Sequence, residues 1–218
     1  LVFFAFGLLV NSAVIAQNYT LLVGDTAILS VTGANGSIQW QQSNDLLTWT
    51  DIIGATSNPQ NITVTSTITG IKYYRAKVIN YTVCQQTPWY SNIIQHDVIN
   101  NVSEVQIGDR FRGGIVFLTE SPNNGLIAEN LYGASSRWGL YGVSSATSYS
   151  DGAANTNAII ASNPPPSAAN TCALKTTQGY DDWFLPALNQ LMSLYNQRLI
   201  IGGFIQGKYW SSTYWGSN

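Results

Sequence analysis

The chain has 218 residues, 45% of them hydrophobic and 9% charged, with a formal net charge of -2. An average soluble domain carries about 25% charged residues, so Asn, Ser, Thr, Gly and aromatic side chains make up this surface. The weak net charge excludes the basic field that nucleic acid or an anionic membrane selects. Seven Trp and the hydrophobic share exclude a disordered chain. With one His, two Cys and no CxxC or HExxH pattern, there is little basis for a metal centre or for His-based catalysis.

Residues 1–17, LVFFAFGLLVNSAVIAQ, open with an apolar stretch, Leu1–Val10, too short to span a bilayer. Val14 and Ala16 stand as the small residues of a signal-peptidase site, so cleavage is expected before Gln17. The segment has neither Met nor a basic start, and is read as an N-terminally incomplete leader. The mature chain is expected not to insert in a membrane.

Residues 18–99 alternate short β-prone runs with turn residues. The expected strands are Tyr19–Val23, Thr26–Thr32, Ser37–Gln42, Asn61–Thr65, Lys72–Asn80 and Trp89–Val98. In Tyr74-Arg75-Ala76-Lys77-Val78 the alternation places Arg75 and Lys77 outward. Strand and turn spacing of this kind predicts an antiparallel sandwich. The run from Ser37 through Asn58, followed by Lys72–Cys84 and Tyr90–Ile94, resembles the immunoglobulin-like repeats of bacterial surface proteins. The resemblance implies that Trp40 is buried, beside Ala76, and that Tyr74 holds a tyrosine-corner position. It also implies a partner for Cys84 where Leu22-Val23 stands, so Cys84 is expected as a free thiol, not bonded to Cys172.

Residues 100–106 are polar and read as a linker. In residues 107–218, Gly113–Leu118 and Gly125–Ala128 read as a hairpin around Ser121–Asn124. Gly152–Ser162 and Pro166–Thr176 are helix-compatible. Leu188–Arg198 is the strongest helical pattern, with Leu188, Leu191, Met192 and Tyr195 on one face. Lys208–Thr213 reads as a strand.

The combination of GDRFRGGIVFLTES, GYDDWFLP, LNQLMSLYNQR and YWSST resembles the C-terminal domain of the Legionella collagen-like adhesin and its bacterial relatives. That family implies a C-type-lectin-like α+β fold with at least one further strand, so the domain over 107–218 is expected to be incomplete. It also implies extracellular binding, the adhesin being associated with sulfated polysaccharides. Where the family places a capping Ser or Thr, this chain has Ala187; only the reciprocal Gln190 remains of the capping box.

The fold class expected is an all-β Ig-like sandwich followed by an α+β C-type-lectin-like domain. The function expected is non-catalytic binding or adhesion by a secreted or cell-surface protein, with an extracellular glycan or protein as partner. Six bases face six acids in residues 107–218, which argues for a neutral ligand over a polyanion. The lectin-like resemblance raises calcium as a cofactor, but the sequence pattern gives it no support, and no cofactor is expected. Two alternatives are a structural spacer and a relative of formylglycine-generating enzymes; the second needs two cysteines in one domain, and Cys172 stands alone. Trp183 and Trp210 are assigned to the core. The ligand surface is placed on loops at Arg137, Trp138, Tyr141, Tyr149 and Trp215, aromatic faces for sugar rings with an Arg beside them.

Overall fold

The computed structural model describes residues 16–65, 69–80, 87–121, 123–129, 136–139, 145–176 and 180–216. The leader segment through residue 15 and Cys84 lie outside the described residues. The chain is mostly β-sheet with a few short helices. It divides into two compact units, one ending at Asn101 and the other beginning at Val102.

In the first unit, period-two patterning produces strands β1 (Ala16–Leu22), β2 (Thr26–Leu29), β3 (Ser37–Ser43), β4 (Thr50–Asp51), β5 (Gln60–Thr63), β6 (Gly70–Ile79), β7 (Trp89–Tyr90) and β8 (Ile94–Ile99). One sheet runs β1-β8-β6-β3-β4, with β7 also on β6; β2 and β5 form a second, two-stranded sheet. β1 lies parallel to β8, whereas β6 is antiparallel to both β3 and β8. Lys72, Tyr74, Ala76 and Val78 of β6 point inward. Tyr74, Ala76 and Val78 meet Ala27 and Leu29 of β2 across a core centred on Trp40. Trp40 and Ala76 are paired in register and both fully buried. The indole N–H of Trp40 donates to the Ser57 carbonyl at 2.9 Å, so its burial strands no polar atom. Gly36 turns at φ 144°, and a Cβ there would strike the Ile79 carbonyl.

On the opposite face of β6, the Arg75 guanidinium lies 4.1 Å from the ring centroids of both Trp49 and Tyr90. Its Nε donates to Gln41 at 2.8 Å, and Gln41 donates in turn to Asp51 at 2.7 Å. One flat cation thereby fastens the β3–β4 loop and β7 onto the sheet. The single strand expected over Trp89–Val98 is in fact two. Ser91 breaks it, its N–H donating to the Ala76 carbonyl at 2.9 Å while its hydroxyl accepts from the Ala76 N–H at 2.8 Å.

A 3-10 turn, Val102–Glu104, occupies the segment read as a linker. Beyond it, β9 (Arg110–Phe111), β10 (Gly114–Ser121) and β11 (Asn124–Ala128) form an antiparallel sheet. Helices α1 (Gly152–Ser162), α2 (Ala168–Ala173), α3 (Leu188–Asn196) and α4 (Arg198–Ile201) follow. Two apolar cores result. Ile115, Phe117 and Ala128 pack with Ile201 against the sheet; Ala146, Ile159, Ala168, Ala169 and Leu185 pack where α1 and α2 meet.

Two expectations in this unit need correction. Lys208–Thr213 joins no strand ladder. Its backbone is used elsewhere: Ser212 N–H donates to the Pro186 carbonyl at 2.8 Å, and the next residue but one, Tyr214, donates to Ala146 at 2.7 Å. On α3, Met192 and Tyr195 are exposed, and Leu194 is the residue packed on the sheet core. A helix of nine residues fits more than one apolar stripe; here the tie of Gln190 to α1, described below, sets its rotation.

His96 generates a test. Its ring is buried, 5.5 Å from Tyr74 and 6.0 Å from Tyr19 between centroids, and neither ring nitrogen has a well-formed hydrogen bond. Burial pushes its pKa from 6.5 to about 4, the Tyr19 backbone opposing. Across the ladder, buried Lys72 is its register partner, a cation that adds no compensation for a second positive charge. The folded state therefore binds this proton less readily than the unfolded chain. Stability from the neutral ring is whole above about pH 6.5 and is lost as pH falls towards 4, by on the order of 3 kcal/mol. Thermal melts between pH 7.5 and 4.5 should show the first unit of the native chain losing about 5 °C or more relative to a His96→Phe variant. Parallel pH profiles would refute this.

Candidate functional site

The site in the second unit depends on how α3 begins. Ala187 has no side-chain acceptor, yet the start of α3 is fully tied down. The Leu188 N–H donates to the Thr213 hydroxyl at 2.9 Å, and the Asn189 N–H to the Tyr149 carbonyl at 2.9 Å. Gln190 Oε1 accepts from Ala187 N–H and from Gly152 N–H, both at 3.0 Å. A residue from the C-terminal loop thus replaces the missing N-cap, and one amide joins the starts of α1 and α3.

Around this joint lies a buried polar framework. Thr156 on α1 donates its hydroxyl to the Leu185 carbonyl at 3.3 Å and accepts the Leu185 N–H at 3.0 Å. Asn155 clamps Ser148 in both directions, at 2.7 and 3.1 Å, and Thr213 donates to the same Ser148 carbonyl at 2.8 Å. Gly152 is required by proximity: a Cβ there would lie 2.5 Å from Gln190 Oε1 and 2.7 Å from the Leu185 carbonyl. The result is a rigid strap, residues 182–187, held between α1, α3 and the C-terminal loop.

Beside that strap is a cleft of about 480 Å³, within the roughly 300–1,000 Å³ range of small-ligand sites. Buried Phe117 and Ala128 form its floor, and Leu191 and Leu194 of α3 one wall. Ala168, Thr171, Cys172 and Lys175, at helical spacing on and just beyond α2, form the opposite wall. Trp183, Tyr209 and Trp210 complete the lining.

These aromatics are held by their polar atoms. The indole N–H of Trp183 donates to the Tyr180 carbonyl at 3.1 Å, and that of Trp210 to the Ser136 carbonyl at 2.8 Å. The Tyr209 hydroxyl donates to the Ile205 carbonyl and accepts the Ile205 N–H, while its ring stacks 5.1 Å from Phe204. Rings locked in this way keep their faces available to a ligand at little entropic cost. Within the lining, Lys175 forms an ion pair with Glu129. Burial raises the Cys172 thiol pKa, with Lys175 opposing and Glu129 adding to the effect, so the thiol stays protonated and weakly nucleophilic.

Of the residues picked from sequence, two form a ring pair. Tyr149 and Trp215 are both exposed and stack 5.9 Å apart. Trp138 is half-buried, 5.8 Å from Tyr214, with its N–H donated to Ser211 at 2.7 Å. Trp138 therefore supports the α1–α2 core more than it offers a face. Arg137 is exposed, its carbonyl accepting the Ala168 N–H at 2.8 Å. Tyr141 lies outside the described residues. Trp210, assigned to the core from sequence, is 52% exposed, and Trp183 is half-buried in the cleft wall. The cleft itself was not foreseen; the 168/171/172/175 spacing was its one local signal.

Among the described residues no group of three or more His, Cys, Asp and Glu side chains could hold a metal ion, and no helix is long and apolar enough to cross a membrane. Residues 11–99 match the model of a domain of unknown function, DUF8696. No curated protein matches the chain. A neutron crystallographic structure of a lytic polysaccharide monooxygenase from Jonesia denitrificans is similar at 15% identity and a TM-score of 0.25, over 38% of this chain and 58% of that one. The chain thus spans less than two thirds of that protein, and a likeness of this size defines neither fold nor activity.

The shared amide at the joint leads to a stability test. Gln190→Met removes an acceptor from two N–H groups and should cost roughly 2–4 kcal/mol. The exposed neighbour Met192→Ala should stay within about 0.5 kcal/mol. Urea denaturation followed by tryptophan fluorescence measures both. Equal midpoints for the two variants would remove Gln190 from the framework.

Proposed function

We propose that this is an exported, non-catalytic binding protein of the cell surface or extracellular space, in which the second unit recognises a glycan through the aromatic-lined cleft. The observation that carries this reading is the set of locked ring faces, Trp183, Tyr209 and Trp210, around a cleft of about 480 Å³. Flat apolar faces with polar groups close by are what a sugar ring selects, its C–H face stacking and its hydroxyls bonding at the edges. The sequence resemblance of the second unit to the adhesin C-terminal domain, with its C-type-lectin-like fold, supports the same class. In this reading the first unit is an immunoglobulin-like sandwich that carries the recognition unit. The protonated Cys172 thiol, single in its unit, favours binding over turnover. The exposed Tyr149–Trp215 pair, the part of the loop surface that presents open ring faces, is a secondary contact region of the same protein.

Trp210 is exposed, so its replacement leaves packing largely intact. Trp210→Ala should weaken binding on a glycan array at least tenfold while the melting transition shifts by less than about 2 °C. Trp215→Ala should weaken it less. Unchanged binding by Trp210→Ala would place the ligand elsewhere.

A further inference from the structure

The cleft carries its own counter-ion. Four charged residues line it: Glu129 and Asp182 against Lys175 and Lys208. Lys175 is satisfied within the protein by Glu129, and both members of the pair are largely shielded, at 34% and 14% side-chain exposure. A sulfate or carboxylate entering the cleft would have to displace Glu129 from Lys175 or sit beside an unneutralised carboxylate. Both lose what a polyanion receptor needs, a free cation in a partly dehydrated place; the other lining cation, Lys208, is exposed, where water and salt screen it. A neutral sugar ring meets no such opposition, because indole faces do not require charge.

We infer that the cleft selects neutral saccharides over sulfated or acidic ones, and that Glu129 sets this selectivity by occupying Lys175. The inference rests on the glycan reading above, but it can fail separately from it. Specificity here works by rejection: the carboxylate contributes little to the neutral ligand and excludes the anionic one. The residue is thus a single-site switch. Glu129→Gln keeps the size and hydrogen-bonding reach of the side chain while releasing Lys175 as a free cation. Asp182→Asn, on the exposed rim, moves the lining one charge in the same direction without touching the pair.

The experiment uses the full chain and an array of neutral oligosaccharides alongside sulfated and uronic-acid oligosaccharides, followed by titration in 50 and 300 mM NaCl. The native protein should bind neutral members with less than a twofold change between the two salts. Glu129→Gln should raise the ratio of sulfated to neutral binding at least tenfold, with that gain lost at 300 mM NaCl. Asp182→Asn should move the same way by a smaller factor, and serves if Glu129→Gln fails to fold. Preference of the native protein for sulfated members, abolished by Trp210→Ala, would overturn the selectivity and leave the cleft as the site. Neutral binding that survives both Trp183→Ala and Trp210→Ala would overturn the cleft reading itself. No binding by the native chain, with no gain in either variant, would overturn both.

Discussion

The second unit depends on one shared amide. Gln190 Oε1 accepts a backbone N–H from the first residue of α1 and another from the residue before α3. Both helices are short, and short helices have little stability of their own. Their starts are stable because each supplies a donor to a common, partly buried acceptor. Gly152 makes the geometry possible, since any side chain there would occupy the space of that acceptor. Thr213 and Tyr149 then satisfy the next two donors of α3, so the C-terminal loop cannot move independently of the helix.

The cleft follows from this joint. Residues 182–187 are held as an extended strap by Thr156 and by the helix starts, and the strap presents Trp183 to the cavity. The loop fixed by Ser212 and Thr213 carries Tyr209 and Trp210 on its near side. Buried polar networks of this kind specify one arrangement when every member is paired, and here the pairing runs from Ser148 through Asn155, Thr213 and Gln190. The first unit uses a different solution. There, mainly apolar packing around Trp40 is combined with a surface clamp, Arg75 between two aromatic rings, and the chemically exceptional residue is the buried ring of His96, whose nitrogens have no well-formed hydrogen bond.

Much of the first unit could be read from residues alone, because period-two alternation is a direct record of which side of a sheet is wet. Trp40 beside Ala76 and the outward Arg75 and Lys77 are examples. The second unit was legible where structure is local: the hairpin, the three helical segments and the surviving Gln of the capping box. What could not be read is what depends on residues far apart in sequence. Thr213 acting as the cap of a helix that begins 25 residues earlier leaves no local pattern. The same holds for Trp210, whose N–H reaches Ser136, 74 residues away. From sequence an indole among signature residues reads as packing; only the long-range bond shows that its nitrogen is held and its face left open. Lys208–Thr213 misled for the related reason that β-prone residues were used to tie loops instead of to pair strands.

Because Trp183 and Trp210 donate to backbone carbonyls as well as lining the cleft, they are constrained by two requirements at once. On the glycan-binding reading, divergence of ligand is most constrained at Trp183, whose bond to the Tyr180 carbonyl is partly buried, and less so at the exposed Trp210. The open paths lie at Glu129, Asp182 and Lys208, where a one-nucleotide change alters charge without touching the framework. If the domain binds as proposed, its descendants would be expected to keep the same aromatic floor plan and to differ in ligand through a few rim charges, so that near-identical backbones come to serve different ligands.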